Sequence, residues 1–145
     1  MKQTEAIDAI KDGMDISLCK IDYHNNELEY AGAHNSLCLV RNGILTETKA
    51  DRKSIGISSF KYGSFSNHKI KLMKGDCLYI YSDGYADQKG GPKNERYFPQ
   101  PFRELLTKVS AFPMEVQKEQ IEKVMIEWTG DKEQIDDMLV IGVRI

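Results

Sequence analysis

Leu78-Tyr79-Ile80-Tyr81-Ser82-Asp83-Gly84-Tyr85-Ala86-Asp87 is the stretch on which the fold of this chain turns. Leu78 to Tyr81 is a short apolar and aromatic run of the kind that forms an interior strand, and it breaks off at the turn dipeptide Asp83-Gly84. A second stretch mirrors it: Ile135-Asp136-Asp137 stands directly before the apolar run Met138-Leu139-Val140-Ile141-Gly142-Val143. Each places a carboxylate where a strand meets a turn, a position from which a hard cation can collect oxygen ligands. The run from Met138 to Val143 is apolar at every position, so it is expected to be a central strand with both faces covered.

Working outward, short β-leaning segments at Ile16 to Ile21, Leu28 to Ala31, Leu37 to Arg41, Lys69 to Met73 and Cys77 to Ser82 are separated by turn signals at Asn25-Asn26, Asn42-Gly43 and Lys74-Gly75-Asp76. Their spacing predicts antiparallel meanders. Asn42-Gly43 between apolar runs predicts a type I′ hairpin. Phe102, Leu105, Leu106 and Val109 recur at helical spacing, as do Ile121, Val124, Met125 and Trp128, giving two amphipathic helices separated by Pro113, the second ending at Gly130.

The chain has 145 residues, 41% of them hydrophobic and 29% charged, enough for one core with a solvated surface. One domain over residues 1–145 is expected. The net charge of -2 comes from interspersed acids and bases, with no basic block to track a phosphate backbone, which argues against nucleic acid as a partner. No stretch approaches a membrane span and the first residues lack the apolar core of a secretory signal, so the chain reads as cytoplasmic. Cys19, Cys38 and Cys77 are widely spaced in apolar runs and read as core thiols. His24, His34 and His68 have no partner at zinc-ligand spacing and read as surface or turn residues. Ser82 lacks the nucleophile-elbow glycines of a serine hydrolase.

Several segments, in order, resemble the SpoIIE-like branch of the bacterial metal-dependent (PPM-type) protein phosphatases. They are Lys11-Asp12-Gly13-Met14-Asp15-Ile16; Leu28-Glu29-Tyr30-Ala31-Gly32-Ala33-His34-Asn35; Ser54-Ile55-Gly56, with Ser54 where the family has proline; Gly75-Asp76 followed by Leu78 to Gly84; and Asp136-Asp137. The resemblance implies a layered α-β-β-α sandwich of mainly antiparallel sheets, an α/β (α+β) fold. It implies Mn²⁺ or Mg²⁺ as cofactor, hydrolysis of phosphoserine or phosphothreonine, and a phosphorylated regulatory protein of the anti-sigma-antagonist kind as partner. Carried over residue by residue, Asp83 and Asp136 would ligate one ion. Gly84 and Asp137 would lie beside it, Asp137 pointing away by strand alternation.

The family also carries, before the Asp-Gly-Met-Asp segment, an Asp-x-x-Gly-His-Gly turn that this sequence lacks. The expectation is therefore an N-terminally truncated domain that is inactive in isolation and exposes apolar surface, favouring self-association. A binding module of the same fold and a self-associating structural module are the alternatives. Taken alone, Asp83-Gly84 is also a common turn after a strand, and Asp136-Asp137 a solvated turn before one. The polar run from Ala86 to Arg96 is expected to be a mobile loop. It reads either as a solvated connection or as a flap whose Lys89, Lys93 or Arg96 meets a phosphorylated partner.

Overall fold

The structure, a computed structural model, describes residues 13–56 and 63–145. Lys11 and Asp12 of the first resemblance segment lie outside the described residues. Chain order gives β1 (Gly13–Met14), β2 (Ile16–Asp22), β3 (Glu27–Ala33), β4 (Leu37–Arg41), β5 (Ile44–Thr48), β6 (Ile55–Gly56), β7 (His68–Lys71), β8 (Cys77–Tyr81), α1 (Gly84–Asp87), β9 (Lys89–Gly90), β10 (Glu95–Arg96), α2 (Pro99–Val109), α3 (Met114–Thr129) and β11 (Val140–Arg144).

The main sheets are a four-stranded one ordered β11-β8-β4-β5 and a three-stranded one ordered β2-β3-β7, antiparallel throughout. Alternation along β4 and β8 explains how they stack. Leu37, Leu39 and Leu78 join Leu28, Tyr30 and Leu72 in a core between the sheets. Cys38, Val40, Cys77 and Tyr79, one residue out of phase, pack with Phe102, Leu106 and Val109 of α2 and Ile121 and Met125 of α3. A strand with a sheet on one face and helices on the other has no solvated side, which is why both runs are apolar without interruption. Burial of each large side chain here contributes roughly 1.5–3 kcal/mol.

The outer face of the three-stranded sheet is different. Lys20 lies directly opposite Glu29 and pairs with it at 2.9 Å, and Lys69 approaches Glu27 at 3.5 Å. Cross-strand pairs of this kind suit a face in water.

The hairpin at Asn42-Gly43 forms as its sequence predicts: both residues have positive φ, 51° and 73°, and Arg41 pairs with Ile44 across the turn. Both amphipathic helices form. Pro99 opens α2 at its first turn, where a missing N–H costs no hydrogen bond. Gly130 closes α3 with a positive φ and donates its N–H to the Ile126 carbonyl.

Two expectations are corrected. β11 is an edge strand among the described residues, paired with β8 alone, and Leu139 and Ile141 remain 57% and 43% exposed. Its apolar run is covered only in part: Val140 packs toward the helices and Val143 toward the other sheet. The segment from Ala86 to Arg96, expected to be a mobile loop, is α1 followed by a β9–β10 hairpin, with Gln88 and Gly90 buried. The Gly91 N–H donates to the Trp128 carbonyl at 2.9 Å, and the Trp128 indole N–H donates to the Gln88 carbonyl at 3.0 Å. These contacts tie the hairpin to the end of α3.

Candidate functional site

β8 and β11 run antiparallel, so the C-terminal end of one lies beside the N-terminal end of the other, and the two acidic turns meet there. The register pairs Tyr81 with Val140. One step further, the Ser82 N–H donates to the Leu139 carbonyl at 3.0 Å, but the Leu139 N–H does not return to the Ser82 carbonyl. It donates to Ser82 Oγ at 3.0 Å, and that hydroxyl donates to the Asp137 carbonyl at 2.8 Å. The side chain takes the place of the main chain in the ladder. The Ser82 backbone is thereby freed to turn away into α1, while the Asp136-Asp137 segment stays attached to β8.

Gly84 allows the second half of this approach. A Cβ at Gly84 would press into the Asp137 carbonyl and lie 3.4 Å from the Asp136 carbonyl carbon. The absence of a side chain lets two backbones touch.

Asp83 occupies the N-cap of α1 with backbone angles of -69° and -21°, and its carboxylate makes no capping hydrogen bond. Its main-chain carbonyl accepts the Asp87 N–H. Asp136 accepts its neighbour's N–H, from Asp137, on Oδ1 at 2.7 Å, leaving Oδ2 open. Neither carboxylate has an ion-pair partner among the described residues, and both residues are exposed. Asp136 and Asp137 lie in a bend ahead of β11, not on a strand, so strand alternation does not decide which way Asp137 points.

The donor chemistry suits a hard divalent cation, which prefers carboxylate and carbonyl oxygen. The donor count falls short. Among the described residues no group of three or more His, Cys, Asp or Glu side chains is clustered to hold an ion. What the turns supply is two carboxylates presented from touching backbones.

Of the basic residues singled out in the following segment, Lys89 and Lys93 are exposed on the β9–β10 hairpin, and Arg96 approaches Asp87 at 3.3 Å. The sequence did not signal Gln88. It is 0% exposed, and every polar group of its side chain is used: Nε2 donates to the carbonyls of Lys89 and Glu133, both at 2.9 Å, and Oε1 accepts the Ile135 N–H at 3.3 Å. The remaining candidates behave as structural residues. Cys38 and Cys77 are buried and Cys19 half-buried, all three unpaired as disulfides, and burial pushes the Cys19 and Cys38 thiols up. His24 and His34 are exposed in turns, whereas His68 begins β7 and stacks on Tyr30. No helix among the described residues is long and apolar enough to cross a membrane.

The fold is shared with known proteins. The family model for Stage II sporulation protein E (SpoIIE) matches residues 5–145. Among solved structures the chain is similar to the SiaA-PP2C domain of Pseudomonas aeruginosa, with 28% identity and a TM-score of 0.83 over 90% of this chain and 51% of that one. It is also similar to the manganese-presoaked phosphatase domain of the cell fate determinant SpoIIE from Bacillus subtilis, with 22% identity and a TM-score of 0.65 over 90% of this chain and 56% of that one. A third similar structure holds the RsbU and RsbW domains of a Mycobacterium tuberculosis protein, with 17% identity and a TM-score of 0.70 over 90% of this chain and 35% of that one. The chain thus spans about half the length of the first of these, and the two below 25% identity bear on the fold alone. No curated protein sequence matches the chain.

Proposed function

This chain belongs to the Stage II sporulation protein E family, a family of phosphatase domains, and we propose that it carries the Asp83 and Asp136 part of a metal-dependent serine/threonine phosphatase site. The observation that supports this reading most directly is the contact between the two acidic turns, made by Ser82 on one side and the bare backbone of Gly84 on the other. The missing side chain at Gly84 lets the Asp136-Asp137 segment lie against the turn that carries Asp83.

In this reading Asp83 and Asp136 hold one Mn²⁺ or Mg²⁺, and Gly84 and Asp137 lie beside it. Such an ion, when bound, supplies a water activated for attack on a phosphate ester. Two carboxylates leave most of an octahedral ion's coordination to water, so binding by this chain is weak and hydrolysis needs ligands beyond these two. The substrate class in this reading is a phosphoserine or phosphothreonine on a regulatory protein, and Lys89 and Lys93, exposed on the hairpin that follows Asp83 in the chain, would meet its charge.

Calorimetric titration of Mn²⁺ into the chain and into Asp83→Asn tests the site. Weak binding that the substitution weakens further is expected. Tight binding indifferent to Asp83 would move the ligands elsewhere and overturn the reading.

A further inference from the structure

Asp83 and Asp136 belong to separate exposed turns, and neither carboxylate bonds to the other's turn. Something else must fix their separation. Two side chains do, one from each end of the segment that follows β8. Ser82 Oγ bonds to both Asp137 and Leu139, immediately after Asp136. Gln88 bonds to Glu133 and Ile135, immediately before it. Asp136 therefore lies between two anchor points, and both anchors come from the short stretch that contains Asp83.

We propose that Ser82 and Gln88 are positioning residues that together hold the Asp136 turn at ion-binding distance from Asp83, a role that rests on the metal site proposed above. The chemistry of each side chain suits the task. A serine hydroxyl donates and accepts at once, so a single atom joins a carbonyl to an N–H two residues on. A glutamine amide offers two donors and an acceptor, and here all are matched by backbone groups on the two segments it joins. Being fully buried, Gln88 cannot exchange these partners for water without exposing itself. Its own backbone is also fixed: its N–H donates to the Gly84 carbonyl, and its carbonyl accepts from Tyr97 N–H and from the Trp128 indole. The clasp is thus referenced to α1 and α3 and cannot drift with the turn.

Residues that orient metal ligands without touching the ion typically change metal affinity about 10- to 100-fold when removed. The test uses the whole chain and two readouts. The first is amide hydrogen exchange without metal. Ser82→Ala should raise exchange across residues 135–139 at least about tenfold while α2 is unchanged. Gln88→Glu, which keeps an acceptor for Ile135 but removes the donors to Glu133 and Lys89, should raise it at 133–135. The second is Mn²⁺ calorimetry, in which Ser82→Ala should weaken binding about tenfold and Ser82→Thr, which restores a hydroxyl, should recover it.

Unchanged exchange in Ser82→Ala overturns the clasp. Raised exchange with Mn²⁺ affinity unaltered, in a chain where Asp83→Asn does lose affinity, overturns its role toward the ion. A wild-type chain that binds no Mn²⁺ refutes the metal site itself and the positioning role with it, while the exchange result still decides whether the clasp exists. Should Gln88→Glu fail to fold, Ser82→Ala and Ser82→Thr carry the test, since Ser82 is only half-buried.

Discussion

Gly84 lies so close to Asp137 that a Cβ added to it would be 3.0 Å from the Asp137 carbonyl carbon and nearer still to its oxygen. Both groups are backbone, so no side chain can rotate away to make room. Gly84→Ala must therefore push the acidic bend off α1 or tilt α1 itself. Overpacking of this kind costs about 1–3 kcal/mol. Thermal unfolding should show that loss, and Mn²⁺ affinity should fall with it. An alanine variant with wild-type stability would mean that the bend has slack, and that the approach of Asp136 to Asp83 is not fixed by contact.

Asp83 and Asp136, if they share one ion, should behave as a coupled pair. Asp83→Asn and Asp136→Asn each remove one anionic donor, and the double variant should bind Mn²⁺ little worse than either single one. Additive losses would instead indicate two independent weak sites. Calorimetry on the four proteins separates these outcomes. Because neither carboxylate has an ion-pair partner among the described residues, and an asparagine at 136 keeps the oxygen that accepts the Asp137 N–H, the same substitutions should leave stability within about 0.5 kcal/mol of wild type.

The strands that position this pair were legible in the sequence because local chemistry specifies them. Asn42-Gly43 admits few turn types, the apolar spacing of α2 and α3 leaves no strand alternative, and the Leu78 to Tyr81 run is fixed by burial on both faces. What was not legible is the number of neighbours a strand has. An apolar run such as Met138 to Val143 reports what its faces favour, not what lies beside its edge, and β11 proves to pair with one strand among the described residues. Gln88 was hidden for a related reason. In a run of Lys, Gly and Asn a glutamine looks solvated, and its burial arises only when Trp128 and the segment from Glu133 to Ile135 fold over it from far along the chain. Ser82 could be seen beside Asp83, but its two bonds depend on the β8–β11 register, which the sequence does not state.

Tyr79 and Gln117 give a test of the packing beneath the site. The Tyr79 hydroxyl donates to Gln117 Oε1 at 2.6 Å inside the core between β8 and α3, and Gln117 Nε2 donates to the Phe112 carbonyl at 2.8 Å. Burial pushes the Tyr79 phenol well above its ordinary range, so it stays protonated and remains a donor at neutral and mildly alkaline pH. Tyr79→Phe leaves a buried acceptor without its partner and should destabilise by about 1–3 kcal/mol, with no pH dependence from this group. Urea unfolding at neutral and mildly alkaline pH checks it. A loss that varied between the two would point to a titrating phenol.

Arg41 and Asp76 make one pH-dependent contribution to stability. The Arg41 guanidinium donates from Nε to Oδ1 at 2.8 Å and from Nη2 to Oδ2 at 2.7 Å, and Oδ2 also accepts the Met73 N–H at 2.8 Å. Asp76 is 1% exposed and Arg41 keeps 33% of its side chain in water. The Arg41 hydrogen bonds hold the Asp76 carboxyl below the ordinary aspartate value of about 3.9, against a burial effect that would raise it. A depressed folded value means that the unfolded chain takes up the proton first as pH falls. The stabilisation is complete above the unfolded value and disappears as pH drops through the folded one. Asp76→Asn should therefore cost about 3 kcal/mol at pH 7, the low end for a broken buried pair because Arg41 is partly solvated. The gap between variant and wild type should hold down to about pH 5 and narrow below about pH 4. Urea unfolding of both proteins at pH 7, 5 and 3 decides it: a gap that stayed constant into acid would show that the loss comes from packing alone and not from the charge on Asp76.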